Sequence, residues 1–167
     1  MALTKNTILN HREIEHKIKR IAYQIYESNV NETEIIIAGI ESNGFLLAEK
    51  IKTQLDGISD LKATLCRVTI NKTKPTEAIT TSLERIDYTN KSIVLIDDVL
   101  NSGSTLIYGI KHFLDVPLKQ FKTAVLVNRN HKKFPVKADF KGISLSTSMF
   151  EHVHVNLSQQ PYEAFLD

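Results

Sequence analysis

Two adjacent carboxylates follow an apolar run, and a short polar loop follows them. The run Ser92–Ile96 leads into Asp97 and Asp98, and the loop Asn101–Thr105 contains one glycine. This pattern predicts a buried strand, a turn and the N-terminus of a helix. Backbone amides at a helix N-terminus lack intrahelical partners and attract phosphate, while an acidic pair suits vicinal hydroxyls or Mg²⁺. The segment therefore predicts a site for a phosphorylated sugar, although the acidic pair alone also fits a turn in which Asp98 caps the helix.

Apolar periodicity places this segment in an alternating series of strands and helices. Asn10 and Glu13 form the signature of a helix start, and isoleucines at helical spacing continue to about Ser28. We expect strands at Glu34–Ile40, Leu61–Ile70, Ile93–Asp97 and Thr123–Val127, with helices after the loops Gly39–Gly44 and Asn101–Thr105. The order predicts an open, mostly parallel α/β sheet flanked by helices, with ligands at the carboxyl ends of its strands.

Two further segments have weaker patterns. The loop Gly39–Gly44, taken alone, is an ordinary turn between a strand and a helix. The stretch Asn71–Asn90 is polar, contains Pro75 and lacks a strong period. We therefore expect it to be a long mobile loop, either irregular throughout or with strand-like arms, and such a loop in a compact domain often acts as a lid.

The composition limits the classes of protein to which the chain can belong. With 167 residues, 42% of them hydrophobic and 24% charged, we expect one soluble globular domain spanning residues 1–167. No apolar run approaches the roughly 20 residues that span a bilayer, the N-terminus lacks the apolar core of a secretory signal, and Cys66 is the only cysteine. We therefore expect a cytoplasmic protein with no membrane partner and no disulfide. The net charge of +2 is too small to indicate nucleic-acid binding by itself.

The segment Ile93–Thr105 resembles the ribose-phosphate signature of type I phosphoribosyltransferases. In that family an apolar strand runs into two acidic residues, two apolar residues and a loop containing Thr/Ser-Gly. The resemblance implies the type I phosphoribosyltransferase fold with a small hood beside the sheet. It also implies that the protein binds phosphoribosyl pyrophosphate and Mg²⁺.

The same resemblance implies a role for each matching residue. Asp97, Asp98 and Arg67 would be the catalytic residues, and the two aspartates would also hold Mg²⁺, partly through water. The 5-phosphate would lie against Asn101, Ser102, Gly103, Ser104 and Thr105. Pyrophosphate would lie against Ile40, Glu41, Ser42, Asn43 and Gly44, in a loop that in this family often contains a cis non-proline peptide.

The segment Ala124–Gly142 narrows the resemblance to the PyrR group, which are pyrimidine-operon attenuator proteins and also uracil phosphoribosyltransferases. The later segments Ser146–Ser148 and Glu151–Val155 fit the same group, so the resemblance covers nearly the whole chain. It implies uracil or a related base as acceptor, UMP as product, and a homodimer or larger homo-oligomer. Val127, Asn128 and Arg129 would border the base, and Arg129, His131, Lys132 and Lys133 would border an RNA-binding face.

Several residues depart from the patterns of these families. Ser104 replaces an arginine of the phosphate loop, and Glu41 and Asn43 replace basic residues of the pyrophosphate loop. An acidic side chain beside pyrophosphate is unfavourable unless Mg²⁺ or Arg67 compensates for it. Asn101 stands where purine-specific members usually carry Asp, and asparagine has no titratable group with which to act as a base.

Three functions are consistent with these residues. The first is an active uracil phosphoribosyltransferase. The second is a regulatory protein that binds a nucleotide and RNA with weak or lost catalysis. The third is a phosphoribosyltransferase for another base, such as xanthine.

Overall fold

The computed structural model describes residues 5–167, which form a large sheet, a small sheet and four helices. The strands are β1 (Asn6–Leu9), β2 (Glu34–Ile40), β3 (Lys62–Thr69), β4 (Thr80–Thr81), β5 (Ser92–Leu100), β6 (Gln120–Arg129), β7 (Phe140–Leu145), β8 (Val153–Asn156) and β9 (Glu163–Leu166). The helices are α1 (His11–Glu27), α2 (Asn43–Ile58), α3 (Arg85–Tyr88) and α4 (Ser104–Phe113). Within residues 5–167, no helix is both long and apolar enough to cross a membrane.

The large sheet has the strand order β4-β3-β2-β5-β6-β7. Its neighbouring strands run parallel, except for the antiparallel pair β3–β4. From β2 the chain passes through α2 to β3 on one side, and from β5 it passes through α4 to β6 on the other. The strand order therefore reverses between β2 and β5, and ligands of open α/β sheets bind at such a point. This architecture confirms the predicted open, mostly parallel sheet flanked by helices.

Helices cover both faces of this sheet, which explains the continuous apolar runs of its central strands. In β2, Ile35 and Ile37 pack in one core with residues of α1 and α2. Ile36 and Ala38 pack in the opposite core with residues of α3 and α4. Because side chains pack against both faces of the sheet, the residues at the carboxyl ends of its central strands are held in fixed positions.

Helix α1 begins where the sequence predicts. Asn10 Oδ1 accepts a hydrogen bond from the Glu13 amide at 2.9 Å, and the Glu13 carboxylate accepts one from the Asn10 amide at 2.9 Å. This reciprocal pair satisfies two amides at the helix start that have no intrahelical partner. The buried residues Ile14, Ile18 and Ile21 of α1 then pack in the first core.

A small antiparallel sheet with the order β1-β9-β8 forms the hood that the family resemblance implies. Strand β9 lies in its middle and pairs with both neighbours, so that Asn6 lies opposite Leu166. The alternation of Val153 and Val155 marks β8, but the sequence pattern alone does not predict β1 or β9.

Two predicted boundaries need correction. Strand β5 does not end at Asp97 but continues to Leu100, because it stays paired with β6, so the acidic pair lies inside the strand. The stretch Asn71–Asn90 contains β4, which pairs with β3 as one of the expected strand-like arms, and also the short helix α3, which the sequence pattern does not predict. Tyr88 of α3 is buried with its ring against Phe113, and this contact anchors the second half of the stretch.

Helix α2 approaches strand β5 closely at Gly44. A methyl group on Gly44 would lie 2.8 Å from the Ile96 carbonyl oxygen and 3.0 Å from both Cα and Oδ1 of Asp97. These atoms belong largely to the backbone of a central strand, which cannot move aside. The absence of a side chain at Gly44 therefore lets the N-terminus of α2 lie directly against Asp97.

We expect Gly44→Ala to push α2 away from β5 and to lower the free energy of unfolding by about 1–3 kcal/mol. Gly57→Ala is the matched control on the same helix, because nothing lies within 4 Å of its added methyl group. Alanine there should leave stability unchanged or raise it by up to about 1 kcal/mol. Urea unfolding of the three proteins measures both effects, and equal stability of Gly44→Ala and the wild type would contradict the close packing.

Candidate functional site

The carboxyl end of β5 and the N-terminus of α4 line one crevice, and the N-terminus of α2 lies against the acidic pair of that crevice. A cavity of about 200 Å³ lies there. Its wall contains Asp97, Asp98 and the whole loop Asn101–Thr105, together with Lys72 and Val153 from elsewhere in the chain. Because the N-terminus of α4 lines the crevice and that of α2 lies beside its acidic pair, both helix ends favour an anion there.

Asp97 is the buried member of the acidic pair. Its side chain is 5% exposed, and its Oδ1 accepts a hydrogen bond from the Asp98 amide at 2.9 Å. Burial, and then the charge of Asp98, raise the pKa of Asp97 to about 8, although the ammonium group of Lys72, 3.5 Å from Oδ1, opposes the rise. Asp97 is therefore largely protonated at neutral pH unless a bound cation compensates for its charge.

Asp98 is more accessible and is held by the other loop of the crevice. Asn43 Nδ2 donates a hydrogen bond to Asp98 Oδ2 at 3.2 Å and another to the Val155 carbonyl oxygen at 2.9 Å. Asp98 does not cap α4, whose N-cap is Gly103, because its Oδ1 accepts from the Val99 amide instead. Asn43 thereby joins α2, β5 and the hood.

The turn into α4 depends on Gly103, which has a φ of 88°. Side chains rarely adopt this left-handed conformation, so glycine is required there. Ser102 Oγ accepts a hydrogen bond from the Ser104 amide, and the Ser102 carbonyl oxygen accepts from the amides of Lys133 and Phe134. The segment after β6 thus holds the loop Asn101–Thr105 in place through these hydrogen bonds, and the opposite side of the loop lines the cavity.

The loop between β2 and α2 contains a cis peptide bond between Glu41 and Ser42. The Glu41 carboxylate accepts hydrogen bonds from Arg67 Nη1 at 2.8 Å and from Thr69 Oγ1 at 3.2 Å. The Arg67 guanidinium lies over the Phe45 ring, 4.2 Å from its centroid. The hydrogen bond from Arg67 holds the pKa of Glu41 below its ordinary value, so Glu41 is ionised at neutral pH. Arg67 therefore compensates for the negative charge that Glu41 brings to this loop.

A second cavity, of about 300 Å³, adjoins the first on the side of the hood. Its wall consists of Asn101, Ser102, Arg129, His131, Lys133, Met149, His152 and Val153. Arg129 is 8% exposed, because its guanidinium donates to Asn101 Oδ1, to Thr147 Oγ1 and to the carbonyl oxygens of Ser148 and Glu151. A guanidinium has no acceptor, so the Asn101 amide must direct its oxygen toward Arg129 and its NH₂ group away from it.

The walls of these two cavities contain neither the residues predicted to bind pyrophosphate, Ile40–Gly44, nor Arg67, Val127, Asn128 and Lys132. Ile40 and Val127 are fully buried in the two cores, so their side chains cannot contact a ligand in either cavity. Asn128 donates to a serine of the neighbouring strand β7, and Lys132 is exposed beyond the second cavity. The Arg129 guanidinium is occupied within the protein, because β6 continues through Arg129 and the side chain reaches Asn101 and Thr147. Its role as an RNA contact stays a prediction.

Lys72 is a site residue that the sequence reasoning missed. It follows β3 closely and so lies at the same edge of the sheet as the acidic pair. Asn71 Oδ1 accepts hydrogen bonds from the amides of Thr73 and Lys74, and this turn presents Lys72 to Asp97. The position of Lys72 just after a parallel strand could have indicated a site residue. Lys72 lies, however, in a polar stretch that also contains Lys74, and the sequence does not distinguish the two.

The acidic pair fits a Mg²⁺ ion. Mg²⁺ is usually bound through one or two carboxylates together with water and ligand oxygens, rather than by a full set of protein ligands. Among residues 5–167, no group of three or more His, Cys, Asp or Glu side chains is arranged to hold a metal. The raised pKa of Asp97 indicates a buried carboxyl group whose charge lacks compensation. Asp97 and Asp98 therefore suit an ion that arrives with a phosphorylated ligand.

Comparison with known proteins adds independent observations. The family model of the phosphoribosyl transferase domain matches residues 4–160. Bifunctional protein PyrR of Streptococcus agalactiae is 32% identical over 164 residues, which cover 94% of this chain and 92% of that protein. The protein of the same name from Chloroflexus aurantiacus is 33% identical over 160 residues, which cover 91% of this chain and 88% of that protein.

Solved structures share the fold. A hypoxanthine-guanine phosphoribosyltransferase from Bacillus anthracis has a TM-score of 0.79 and 19% identity, covering 97% of this chain and 96% of that one. The hypoxanthine phosphoribosyltransferase of Trypanosoma cruzi in complex with the product IMP has a TM-score of 0.71 and 16% identity, covering 90% of this chain and 83% of that one. At these identities the likeness concerns the fold alone.

We expect Asp97→Asn to stabilise the protein without ligand, and increasingly so as the pH rises. The folded-state pKa of Asp97 lies above its unfolded value, so its contribution to stability is present at low pH and is lost as the pH rises toward about 8. Asparagine removes this loss, so the difference in unfolding free energy between variant and wild type should grow by about 2 kcal/mol or more between about pH 5 and pH 8.

Urea unfolding in EDTA at several pH values measures this difference. Asp60→Asn is the control, because it removes a carboxyl group from an exposed position away from the crevice. A difference between Asp97→Asn and the wild type that does not change with pH would contradict the burial of an uncompensated carboxyl group.

Proposed function

We propose that this chain, which belongs to the phosphoribosyltransferase family, transfers the phosphoribosyl group of phosphoribosyl pyrophosphate to uracil, giving UMP and pyrophosphate. The observation that carries the proposal is the meeting of a buried acidic pair with two helix N-termini at one crevice. The acidic pair matches the two ribose hydroxyls, and the two helix ends match the 5-phosphate and the diphosphate.

Each part of the ligand has a counterpart in the crevice. The loop Asn101–Thr105 and the N-terminus of α4 receive the 5-phosphate, and Asp97 and Asp98 accept hydrogen bonds from the ribose hydroxyls. The loop Ile40–Gly44 receives the diphosphate, with Arg67 beside it. When bound to the acidic pair, directly or through water, Mg²⁺ supplies positive charge against the diphosphate.

The reaction exchanges one bond at the anomeric carbon of the ribose. The bond to the diphosphate oxygen breaks, the bond to N1 of the base forms, and the N1 proton passes to the departing pyrophosphate, whose freed oxygen accepts it. Positive charge develops on the ribose in the transition state, and the carboxylates of Asp97 and Asp98 stabilise it from beside the ring. The turn that carries Lys72 borders the crevice, and its closure excludes water from the reacting atoms.

Asn101 supports a pyrimidine as acceptor. Its Oδ1 is held by Arg129 Nη1 at 3.0 Å, so its NH₂ group is available to donate to a carbonyl oxygen of uracil. An amide cannot accept a ring proton as a carboxylate can. The similarity to proteins named PyrR supports the same choice.

We expect the purified protein to form UMP from uracil and phosphoribosyl pyrophosphate in the presence of Mg²⁺. Asn101→Asp should lower kcat/KM for uracil by about tenfold, because one donated hydrogen bond is lost. The same substitution should raise the turnover of hypoxanthine relative to uracil. Asn31→Asp is the control, since it adds the same charge on an exposed residue before β2, at the opposite end of the sheet. Labelled-base assays measure the rates, and faster wild-type turnover of another base would replace uracil in the proposal.

A regulatory role with RNA as partner is the second candidate. Lys132 and Lys133 are exposed beside the second cavity, and Phe150 is 90% exposed. Exposed cations bind phosphates, and exposed aromatic rings stack on unpaired bases. The word "bifunctional" in the names of the PyrR relatives agrees with a second role.

If RNA is a partner, leader RNA of a pyrimidine operon should bind with an affinity that falls steeply between about 50 mM and 200 mM salt. Replacing Lys132 and Lys133 with glutamine should weaken that binding by about tenfold or more, whereas glutamine at Lys19 and Lys141, which are exposed elsewhere, should not. Gel-shift titration measures the affinity. Absence of any complex at low salt would remove this candidate.

Two other expectations stay predictions from the sequence. One is assembly into a homodimer or larger homo-oligomer, and the other is a cytoplasmic location.

A further inference from the structure

The loop that receives the diphosphate under the proposed function carries a carboxylate of its own. Glu41 stands at the turn from β2 into α2, and its two carboxylate oxygens accept hydrogen bonds from Arg67 Nη1 and Thr69 Oγ1. Its pKa is lowered, mainly by the hydrogen bond from Arg67, so the group is an anion at neutral pH. Glu41 therefore presents to Arg67 the same chemistry that a diphosphate would present.

Arg67 is held in place but is not buried. Its guanidinium lies 4.2 Å from the centroid of the Phe45 ring, and its backbone amide donates to Ser82 Oγ at 2.8 Å. The side chains of Arg67 and Glu41 remain 52% and 35% exposed. An ion pair this accessible to solvent is weak, so a ligand anion can exchange with its carboxylate.

Two cations near the acidic pair and the loop Ile40–Gly44 already contact a carboxyl group. Lys72 lies beside Asp97, and Arg67 pairs with Glu41. Within residues 5–167, Asp98 pairs with no cation and instead accepts a hydrogen bond from the neutral amide of Asn43. The contact of Arg67 is the one that concerns the diphosphate, because its partner Glu41 belongs to the loop Ile40–Gly44. An arriving diphosphate must therefore take Arg67 from Glu41 or bind without it.

We propose that Glu41 is a specificity-determining residue that competes with the diphosphate for Arg67. Phosphoribosyl pyrophosphate and free pyrophosphate must displace its carboxylate, whereas a nucleoside 5′-monophosphate leaves this part of the crevice empty and does not. Glu41 thus weakens the binding of every ligand that carries the diphosphate and leaves nucleotide binding unchanged. The inference rests on the proposed function, because that function assigns the diphosphate to this loop.

One consequence follows for turnover. After transfer, the pyrophosphate product and the nucleotide both occupy the crevice. The Glu41 carboxylate can return to Arg67 as pyrophosphate leaves, so it favours the departure of pyrophosphate over that of the nucleotide. The resting protein is then selective for UMP over phosphoribosyl pyrophosphate.

Isothermal titration at fixed Mg²⁺ with three ligands tests the proposal. The ligands are UMP, inorganic pyrophosphate, and phosphoribosyl pyrophosphate without base. Glu41→Gln should tighten the binding of both diphosphate ligands by about three- to tenfold and change that of UMP by less than about twofold. Glu49→Gln is the matched control, because it removes the same charge from an exposed position on α2 and should change none of the three affinities.

The Arg67→Gln background separates competition from a general effect of charge. With Arg67 absent, the gain from Glu41→Gln should largely disappear, and a gain of the same size would overturn the proposal. Weaker binding of pyrophosphate by Glu41→Gln would also overturn it, since Glu41 would then serve to position Arg67.

The three ligands also distinguish failure of this inference from failure of the proposed function. If UMP and phosphoribosyl pyrophosphate bind the wild type but Glu41→Gln alters neither, only the inference is wrong. If the wild type binds pyrophosphate alone, the proposed function is wrong, while the response of pyrophosphate to Glu41→Gln still decides the role of Glu41. Binding of none of the three ligands would remove both.

Discussion

Where helix α2 meets strand β5, Gly44 leaves no room for a side chain between the helix and Asp97. This approach brings the amides at the start of α2 beside the acidic pair, and it excludes water from Asp97. It also places Asn43, the preceding residue, within hydrogen-bond distance of Asp98 and of the hood. The strand order allows this arrangement, because α2 and α4 leave the sheet in opposite directions from neighbouring strands.

The same packing lowers the stability of the ligand-free protein and favours the binding of a ligand that brings a cation to the crevice. A carboxyl group that loses water is harder to ionise, so the fold carries an unfavourable group at Asp97 when no ligand is present. Lys72 and Arg67 each lie beside one carboxyl group, and the contact between Arg67 and Glu41 is accessible enough to be exchanged. The crevice is therefore arranged to bind a strongly charged ligand that brings its own cation. Phosphorylated sugars with a diphosphate and Mg²⁺ have that character.

Local patterns predicted those parts of the fold that depend on neighbouring residues. The start of α1 at Asn10, the central strand before Asp97 and the loop leading into α4 are all readable from sequence spacing. The extension of β5 to Leu100 was not, because it depends on hydrogen bonds to β6. Helix α3 was missed for a similar reason, since the burial of Tyr88 against Phe113 is a contact between distant residues.

The phosphate side and the hood side of the site also differ in how far the local sequence could predict them. The phosphate side consists of one continuous segment, so its residues could be nominated from the sequence together. The hood side depends on Arg129, which reaches Asn101 and Thr147 over separations of 28 and 18 residues. No local pattern shows whether such an arginine faces a ligand or serves as a structural support. The burial of the Val127 side chain could not be predicted either, because strand pairing decides which side chains are buried.

The hood joins the most distant parts of the described chain, since β9 lies between β1 and β8 and Asn6 pairs with Leu166. A sheet of three short strands is only marginally stable by itself, so the hood depends on those of its residues, such as Leu9 and Ala164, that pack in the core beside α1. Within residues 5–167, the strand pairings of the large sheet involve no strand of the hood. The protein should therefore fold its phosphate-binding half first and complete the second cavity last, and the hood should open locally more readily than the sheet. A base can then enter and leave through reversible opening of the hood while the sugar phosphate stays in place.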